Sequence, residues 1–348
     1  MKAAVLEAFR APLVVREVPD PAPAAHGAVV RVEANGVCRS DWHAWVGDWP
    51  KTFALPHVLG HELCGVVEAV GAEVEKLRPG TRVIVPFSGG DGTCDWCRSG
   101  LAHLCDDPVM PGIRTWGGFA EYVAVDHADF NLVELPEAVG FVAGAGMGCR
   151  YMTAFHGLAE RARLKAGEWV AVHGCGGVGL SAVQIAGALG ANVVAIDIRA
   201  DKLELAEKLG AVATVDAAES NNPARAVREL TGGGAHVSVD ALGIEATCRN
   251  SLKSLRKRGR HVQIGLTTGA DKGDLSIPID LIVDKEIALI GSHGMPPTHY
   301  GAMLRMVAAG KLDPGRLVSQ TIPLEQAGAT LAAMDGYETL GITVIDRF

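Results

Sequence analysis

The sequence has little that would favour nucleic acid, a membrane or export. Among its 348 residues, 40 Asp and Glu stand against 32 Lys and Arg, and the net charge of −8 argues against nucleic acid as a partner. The N-terminal segment Met1–Glu7 lacks an apolar core long enough for a signal peptide. We therefore expect a cytoplasmic protein of ordinary globular composition, with 48% apolar and 21% charged residues.

One stretch lacks charged side chains altogether. Residues Trp169–Ile196 contain no Asp, Glu, Lys or Arg, and their number alone would suffice to span a bilayer. The stretch nevertheless contains His173, Gln184, Asn192 and many glycines, with β-branched residues at both ends. A buried strand–helix–strand unit explains this composition better, so we expect no membrane partner.

Without an export signal, the eight cysteines are expected to be reduced thiols or metal ligands rather than disulfides. Only Cys94, Cys97 and Cys105 are closely spaced. A redox Cys-x-x-Cys pair would be expected near a βαβ pattern, which is absent here. A structural zinc site needs four ligands, and Asp91 lies where a fourth ligand would be expected. We predict a zinc site formed by these four residues; the alternative is three loop thiols without a metal.

The segment from Cys38 to Glu62 concentrates a thiol, imidazoles and carboxylates. It begins Cys38-Arg39-Ser40-Asp41-Trp42-His43 and ends Gly60-His61-Glu62. Cys and His are preferred zinc ligands, and a catalytic zinc has three protein ligands and an open fourth position. Cys38 and His61 are two candidates, and their spacing does not reveal a third.

The order of predicted elements indicates two different domains, as the length of the chain also suggests. Short strands separated by Gly and Pro in the first third predict an antiparallel, barrel-like, β-rich domain. These strands are Ala28–Glu33, Gly65–Val70 and Thr81–Val85.

After Cys149, helices and strands alternate, which predicts an α/β domain with a doubly wound parallel sheet. The predicted strands are Trp169–Val172, Asn192–Ile196, Ala211–Val215, Val237–Asp240, His261–Ile264 and Ile287–Ile290. The predicted helices are Tyr151–Arg163, Leu180–Leu189, Asp201–Leu209, one from Asn222-Pro223 to Leu230, and one that ends in the basic run Lys253–Arg260. The helix Tyr300–Ala309 and the strand Gly341–Ile345 complete the chain.

A G-x-G-x-x-G motif, Gly174, Gly176 and Gly179, lies between the strand Trp169–Val172 and the following helix. In this context the glycines allow a tight turn, a close approach to a pyrophosphate and close packing of helix on strand. Asp197 ends the next strand, where a carboxylate can bind both ribose hydroxyls and repel a 2′-phosphate. We therefore predict NAD rather than NADP. Arg199 is the opposing signal, because a nearby arginine can accommodate a 2′-phosphate.

Together these motifs resemble those of the zinc-dependent medium-chain alcohol dehydrogenases, over essentially the whole chain. The matching segments are Cys38–His43, Gly60–Glu62, Asp91–Cys105, Cys149 with Thr153, and the glycine loop with Asp197. The resemblance implies a β-rich, GroES-like zinc-binding catalytic domain of residues 1–150 and 291–348, and a Rossmann NAD-binding domain of residues 151–290. The segment His43–Pro50 is especially similar to the tetrameric yeast-type branch, which implies a homotetramer.

The resemblance also assigns roles to individual residues. Cys149 is implied as the third ligand of a catalytic zinc with Cys38 and His61, with Glu62 near the metal and Asp41 orienting His61. Ser40 and His43 are implied as a proton relay through the cofactor ribose. Further implied contacts are Arg39 with the pyrophosphate, Thr153 with the nicotinamide, Trp49 and Phe87 in the substrate pocket, and Gly174, Gly176, Gly177, Val178, Gly179, Asp197 and Lys202 with the cofactor.

The implied reaction is the reversible oxidation of an alcohol to an aldehyde or ketone. Zinc in an open site lowers the pKa of a bound hydroxyl, and the resulting alkoxide transfers a hydride to NAD. The alternatives are the same chemistry on a polyol, an amino-alcohol or a bulky aromatic alcohol, or an inactive NAD-binding relative. Polyol dehydrogenases of the superfamily lack the cysteine equivalent to Cys149, so its presence favours the alcohol branch. The complete set of ligand and relay residues argues against an inactive relative.

Overall fold

The computed structural model describes residues 1–52, 54–267, 273–336 and 339–348. These residues divide into two compact units. The first unit contains Met1–Met152 and Gly294–Phe348, and the second contains Thr153–His293. Both ends of the chain therefore belong to the first unit.

The first unit contains two sheets. Its strands are β1 (Lys2–Leu6), β2 (Val14–Glu17), β3 (Ala28–Val37), β4 (His57–Val58), β5 (Glu62–Val70), β6 (Arg82–Val85), β7 (Tyr122–Val125), β8 (Val133–Glu134), β15 (Val318–Pro323) and β16 (Ile342–Arg347). The small sheet has the order β2-β1-β4, and the large one has the order β15-β16-β3-β5-β6-β8, with β7 also paired to β3.

The long strand β3 lies at the centre of the large sheet. It pairs antiparallel with β5, β7 and β16, and its apolar residues Ala28, Val30 and Val32 are buried. The predicted antiparallel pairing is thus confirmed for β3, β5 and β6, whereas β15 and β16 are parallel.

The second unit contains one parallel sheet of six strands, as predicted. The strands are β9 (Trp169–His173), β10 (Asn192–Asp197), β11 (Ala213–Asp216), β12 (Ala235–Asp240), β13 (Leu255–Gln263) and β14 (Ala288–Gly291). Their order is β11-β10-β9-β12-β13-β14. The carboxyl ends of β9 and β10 are neighbours near the point where the strand order reverses, which is where such sheets bind ligands.

Helices connect the strands and cover the sheets. They are α1 (Arg39–Val46), α2 (Asp95–Arg98), α3 (Ala128–Asn131), α4 (Phe141–Gly146), α5 (Cys149–Phe155), α6 (Gly177–Ala188), α7 (Ala200–Leu209), α8 (Pro223–Leu230), α9 (Glu245–Ser254), α10 (Ile279–Asp284), α11 (Tyr300–Ala308) and α12 (Ala327–Ala333). The Asn222 side chain accepts a hydrogen bond from the backbone N–H of Arg225, as its predicted N-cap role requires.

Three predicted helices differ from the structure. The predicted helix Tyr151–Arg163 is α5 followed by a π-helix at His156–Arg161, and α6 begins three residues before the predicted Leu180. The basic run Lys253–Arg260 is not a helix end. Helix α9 ends at Ser254, and the register between β12 and β13 shifts from Ala235↔Leu255 to Val237↔Arg260. Residues 256–259 lie within β13 at this shift, because the flanking Leu255 and Arg260 both pair with β12, and this pairing overrides local helix propensity.

The uncharged stretch Trp169–Ile196 is the predicted strand–helix–strand unit β9-α6-β10. None of the helices in the described part of the chain combines the length and apolar character needed to cross a bilayer.

Candidate active site

Two antiparallel strands bring the first two candidate metal ligands together. Cys38 directly follows β3, and His61 directly precedes β5. Gly36 is paired with Glu62 in the ladder between these strands, so Cys38 and His61 lie at the same end of it. Both side chains are almost completely buried.

The Asp41 carboxylate connects these two ligands. Its Oδ2 accepts a hydrogen bond from the backbone N–H of Cys38 at 2.9 Å, at the start of α1. Its Oδ1 lies 2.8 Å from Nδ1 of His61. Because an ionised carboxylate only accepts, Nδ1 is the protonated nitrogen of His61. The carboxylate thus orients the ring and leaves Nε2 as the nitrogen that faces a metal, which binds imidazole in its neutral form.

Cys149, the first residue of α5, lies with this pair. The potential ligand atoms of Cys38, His61, Glu62 and Cys149 all lie within 4.8 Å of one another. Nε2 of His61 is buried and has no hydrogen-bond partner among the described residues. A buried polar atom without a partner costs about 1–3 kcal/mol. Zinc would satisfy this nitrogen, and two thiolates with one imidazole are a donor set of catalytic zinc, so the residues fit this ion.

The two thiols of this cluster influence each other. A hydrogen bond from Cys149, aided by the positive charge of Arg150, holds the pKa of Cys38 well below its usual value although burial opposes this. The same hydrogen bond raises the pKa of Cys149. The hydrogen bond between the two sulfurs and the charge of Arg150 therefore favour one thiolate in the pair, and a thiolate is the form that binds metals.

Glu62 is held by Arg150, a residue that sequence analysis missed. The backbone N–H and Nε of Arg150 donate to Oε1 of Glu62 at 3.1 and 3.0 Å, and Nη2 donates to Oε2. Both residues are buried, and burial raises the pKa of Glu62 to about 7 while Arg150 opposes that rise. The signal in the sequence is an arginine directly after the third ligand, in the otherwise uncharged segment Gly140–Met152.

Helix α1 carries the predicted relay residues. Ser40 and His43 are three residues apart, so they lie on the same face of the helix. His43 is mostly buried, and its Nδ1 lies 2.6 Å from Oδ2 of Asp48. The guanidinium of Arg39 lies 3.5 Å from the ring centre of Trp42, and its Nη1 donates to the carbonyl oxygen of Met334.

Two aromatic rings lie against these residues. Phe87 is buried and meets His61 edge-on, with 5.7 Å between ring centres. Trp49 is half-buried, and its ring centre lies 5.2 Å from that of His43. The two predicted pocket residues therefore each border a different residue of the candidate site.

The second predicted metal cluster is also brought together. The potential ligand atoms of Asp91, Cys94, Cys97 and Cys105 all lie within 4.8 Å of one another. The backbone N–H and hydroxyl of Thr93 both donate to the Asp91 carboxylate at 2.8 Å, and they hold the pKa of Asp91 well below its usual value. Asp91 thus stays ionised, which is the form that binds zinc, and the four donors suit a closed structural site.

The glycine loop joins β9 to the N-terminus of α6. Gly174 adopts a φ of +90°, which few residues other than glycine tolerate. A Cβ at Gly179 would lie 1.8 Å from the carbonyl oxygen of Gly174, so glycine is required there. Gly177, Val178 and Gly179 form the first turn of α6, whose free N–H groups favour a phosphate.

Asp197 ends β10 beside this loop. Its Oδ2 accepts a hydrogen bond from the backbone N–H of Cys175 at 2.6 Å, so its carboxylate borders the glycine loop. Arg199 forms hydrogen bonds of 3.0 and 2.6 Å with the Asp201 carboxylate, which compensates its charge. Lys202 lies mostly buried on α7.

Thr153 lies on α5, in the second unit. Its hydroxyl is buried and has no hydrogen-bond partner among the described residues. A ligand of the second unit could therefore satisfy it.

Comparisons with known proteins identify the family of the chain. Residues 24–137 match the family model for the alcohol dehydrogenase GroES-like domain, and residues 177–309 match that for a zinc-binding dehydrogenase. An alcohol dehydrogenase of Geobacillus stearothermophilus is 38% identical over 93% of both chains. An NAD-dependent alcohol dehydrogenase of Sulfurisphaera tokodaii is 33% identical over 99% of both. The structure of alcohol dehydrogenase TADH from Thermus sp. ATN1 superposes with a TM-score of 0.90 at 34% identity and covers 100% of both chains.

The two units accordingly correspond to a GroES-like fold and a Rossmann fold. With both family models matched and relatives aligned over nearly its full length, the chain belongs to the zinc-dependent medium-chain alcohol dehydrogenases.

Proposed function

We propose that this protein uses zinc and NAD to oxidise an alcohol reversibly to an aldehyde or ketone. The set Cys38, His61 and Cys149 carries this proposal, because the buried Nε2 of its imidazole has no hydrogen-bond partner among the described residues. When bound, zinc lowers the pKa of the alcohol hydroxyl, and NAD accepts the hydride. Asp41 orients His61, and Arg150 holds Glu62.

The residues of α1 support a route for the proton that the alcohol loses. Ser40 is its first acceptor, and His43 passes it towards water. Two observations support this proton route from Ser40 to His43. The two residues share one face of the helix, and His43 is hydrogen-bonded to Asp48. A relay is needed because the candidate metal ligands Cys38 and His61 are almost completely buried from solvent.

The proposal is tested by metal analysis together with an assay of NADH formation from alcohols. We expect one zinc to be lost and activity to fall at least a thousandfold in Cys149→Ser, because the open site loses a ligand. Cys64→Ser is the matched control, a buried cysteine of the same unit outside both clusters. A wild-type protein that contains zinc and NAD but oxidises no alcohol would contradict the proposal.

The cofactor site on the second unit comprises the glycine loop, Asp197, Lys202 and Thr153. The Asp197 carboxylate beside the loop and the pairing of Arg199 with Asp201 both support NAD rather than NADP. Asp197→Ala should reduce the preference for NAD over NADP at least tenfold. The preference is measured as the ratio of the dissociation constants of the two cofactors.

Trp49 and Phe87 are proposed to line the substrate pocket, which favours small or planar aromatic alcohols. A panel of ethanol, longer alkanols, secondary alcohols, benzyl alcohol and polyols would separate the substrate classes. Trp49→Ala should increase the relative kcat/KM for bulky alcohols. Unchanged relative kcat/KM values across the panel would show that Trp49 does not line the pocket.

A second zinc is proposed at Asp91, Cys94, Cys97 and Cys105. It would be structural, because four protein ligands leave no open position. The zinc content should fall from two ions towards one per chain in Asp91→Ala, and the thermal midpoint should fall with it. Asp95→Ala, which removes an exposed acid at the start of α2 in the same segment, is the control. Equal zinc contents in the wild type and in Asp91→Ala would exclude Asp91 as a ligand.

We further infer a cytoplasmic homotetramer with the catalytic domain at residues 1–150 and 291–348 and the NAD-binding domain at 151–290. Among the described strands β14 pairs only with β13, and the apolar Leu289 on β14 is exposed, as are Ile279 and Val283 on α10. An exposed apolar edge strand favours pairing with a second copy. Leu289→Lys should reduce the particle mass in sedimentation.

A further inference from the structure

The end of α1 folds back onto His43. The helix stops at Val46, and Gly47 takes the left-handed conformation with a φ of +85°. This turn directs the backbone N–H of Asp48 to the carbonyl oxygen of His43 at 3.0 Å. The Asp48 carboxylate also reaches His43, with its Oδ2 2.6 Å from Nδ1.

His43 and Asp48 differ sharply in their contact with solvent. The His43 side chain is only 9% exposed, and the ring centres of Trp42 and Trp49 lie 5.0 and 5.2 Å from that of His43. The Asp48 side chain is 40% exposed. A buried imidazole is thus bonded on one nitrogen to a carboxylate that water reaches.

We propose that Asp48 is a positioning residue of the proton relay, which holds Nδ1–H of His43 and so leaves Nε2 as the proton acceptor. Nothing in the sequence pattern assigned a role to Asp48. The inference rests on the function proposed above, because His43 must take part in the relay. A carboxylate that fixes the tautomer of a catalytic histidine also stabilises the imidazolium that forms.

The proton balance needs no additional reactant. The O–H bond of the alcohol breaks, and Ser40 accepts that proton while it releases its own. His43 takes up one proton on Nε2, and the imidazolium is stabilised by the negative charge of Asp48. One proton then leaves the imidazolium to water, and His43 returns to its neutral form.

Burial and the charges around His43 set its pKa, and Asp48 raises this pKa. Burial lowers the pKa of His43 most, and the charge of Arg39 lowers it further. Asp48 opposes this by its hydrogen bond and charge, and Cys38 adds a smaller opposing effect. Without Asp48, His43 would be a weaker base.

The test compares Asp48→Asn, His43→Gln and the double variant. Asparagine keeps the size and a hydrogen-bond acceptor but removes the charge. In Asp48→Asn, the acid-side inflection of kcat for alcohol oxidation should move down by about one pH unit. The plateau rate should fall about threefold, since a weaker base transfers the proton less readily. His43→Gln should lose the inflection, and adding Asp48→Asn to it should change nothing further.

A second measurement does not depend on turnover. The ring nitrogens of His43 in the zinc-loaded protein can be followed by nitrogen NMR against pH. The wild-type ring should be protonated on Nδ1 when neutral, and its pKa should drop by about one unit in Asp48→Asn. Glu7→Gln, which removes an exposed carboxylate of the same unit, is the control. It should change neither the pKa of His43 nor the ring nitrogen that carries the proton.

An equal loss of rate at every pH, with the inflection unmoved, would overturn the inference and assign Asp48 a purely structural role. A neutral ring protonated on Nε2 would overturn it as well. Full activity in His43→Gln would instead contradict the relay proposed above.

Discussion

At the scale of single residues, two side chains organise the candidate metal site by acting on several partners each. Asp41 bonds the backbone of Cys38 and of Gly60 and the ring of His61, so one carboxylate connects two candidate ligands. Arg150 binds Glu62 through three donors. Such charges can be buried because each has partners.

Replacing Arg150 by Met should release Glu62. A buried carboxylate without its partner costs about 3–5 kcal/mol, so the variant should be less stable. Glu62 would also be free to bind the metal and occupy the open position, so activity should fall at least a hundredfold. Adding Glu62→Gln should recover part of both losses. The measurements are the denaturant midpoint, the zinc content and kcat.

Arg82→Met is the control, since Arg82 belongs to the same unit and donates hydrogen bonds to the carbonyl oxygens of Pro136 and Val139. Equal activity of Arg150→Met with and without Glu62→Gln would show that Glu62 does not compete for the metal.

At the scale of elements, strand ends and helix starts position the candidate residues. β3 runs into α1, and β5 follows His61, so one ladder end carries the thiol and the imidazole. In the second unit, the carboxyl ends of β9 and β10 place the glycine loop next to Asp197. A strand that leads into a helix aligns backbone N–H groups towards a ligand.

A methyl group at Gly179 should disrupt this second arrangement. The added Cβ would overlap the carbonyl oxygen of Gly174, and such overpacking typically costs about 1–3 kcal/mol. NAD affinity should therefore fall roughly tenfold or more in Gly179→Ala, measured by calorimetry. Gly187→Ala, on the same helix, meets only one oxygen at 3.8 Å and should bind NAD normally. Equal NAD affinities of Gly179→Ala and Gly187→Ala would contradict the close packing of α6 on β9.

At the scale of the whole molecule, each unit buries polar groups in its interior. In the second unit His173 and His261 are both almost fully buried, next to Ser254 and Ser251. Burial, with the neighbouring His261, lowers the pKa of His173 to about 3. An unfolded histidine has a pKa of about 6.5.

Acid should therefore weaken the second unit. Between pH 6.5 and about 3 the unfolded chain binds a proton at position 173 that the folded chain does not, so stability rises with pH there. Each pH unit of acidification below 6.5 should remove up to about 1.4 kcal/mol. Hydrogen exchange of the β9 amides at pH 7, 6 and 5 would measure this loss. The loss of stability on acidification should be smaller in His173→Gln than in the wild type and unchanged in His26→Gln. The same dependence of stability on pH in both variants would show that His173 does not cause the loss.

The sequence by itself determined the features that contiguous residues encode. The strand–helix–strand unit β9-α6-β10 follows from local periodicity and from glycines at fixed spacing. The cluster Asp91–Cys105 is confined to fifteen residues, so its four donors could be named before any fold was known.

Only the tertiary structure decided what distant residues do to one another. It brought Cys149 to Cys38 and to His61, which lies 88 positions before it, and it bonded Glu62 to Arg150 across the same separation. It also placed the basic run after Ser254 in β13, because pairing of Leu255 and Arg260 with β12 outweighed local propensity. Pairing and burial of this kind depend on packing between segments far apart in sequence, which no local pattern specifies.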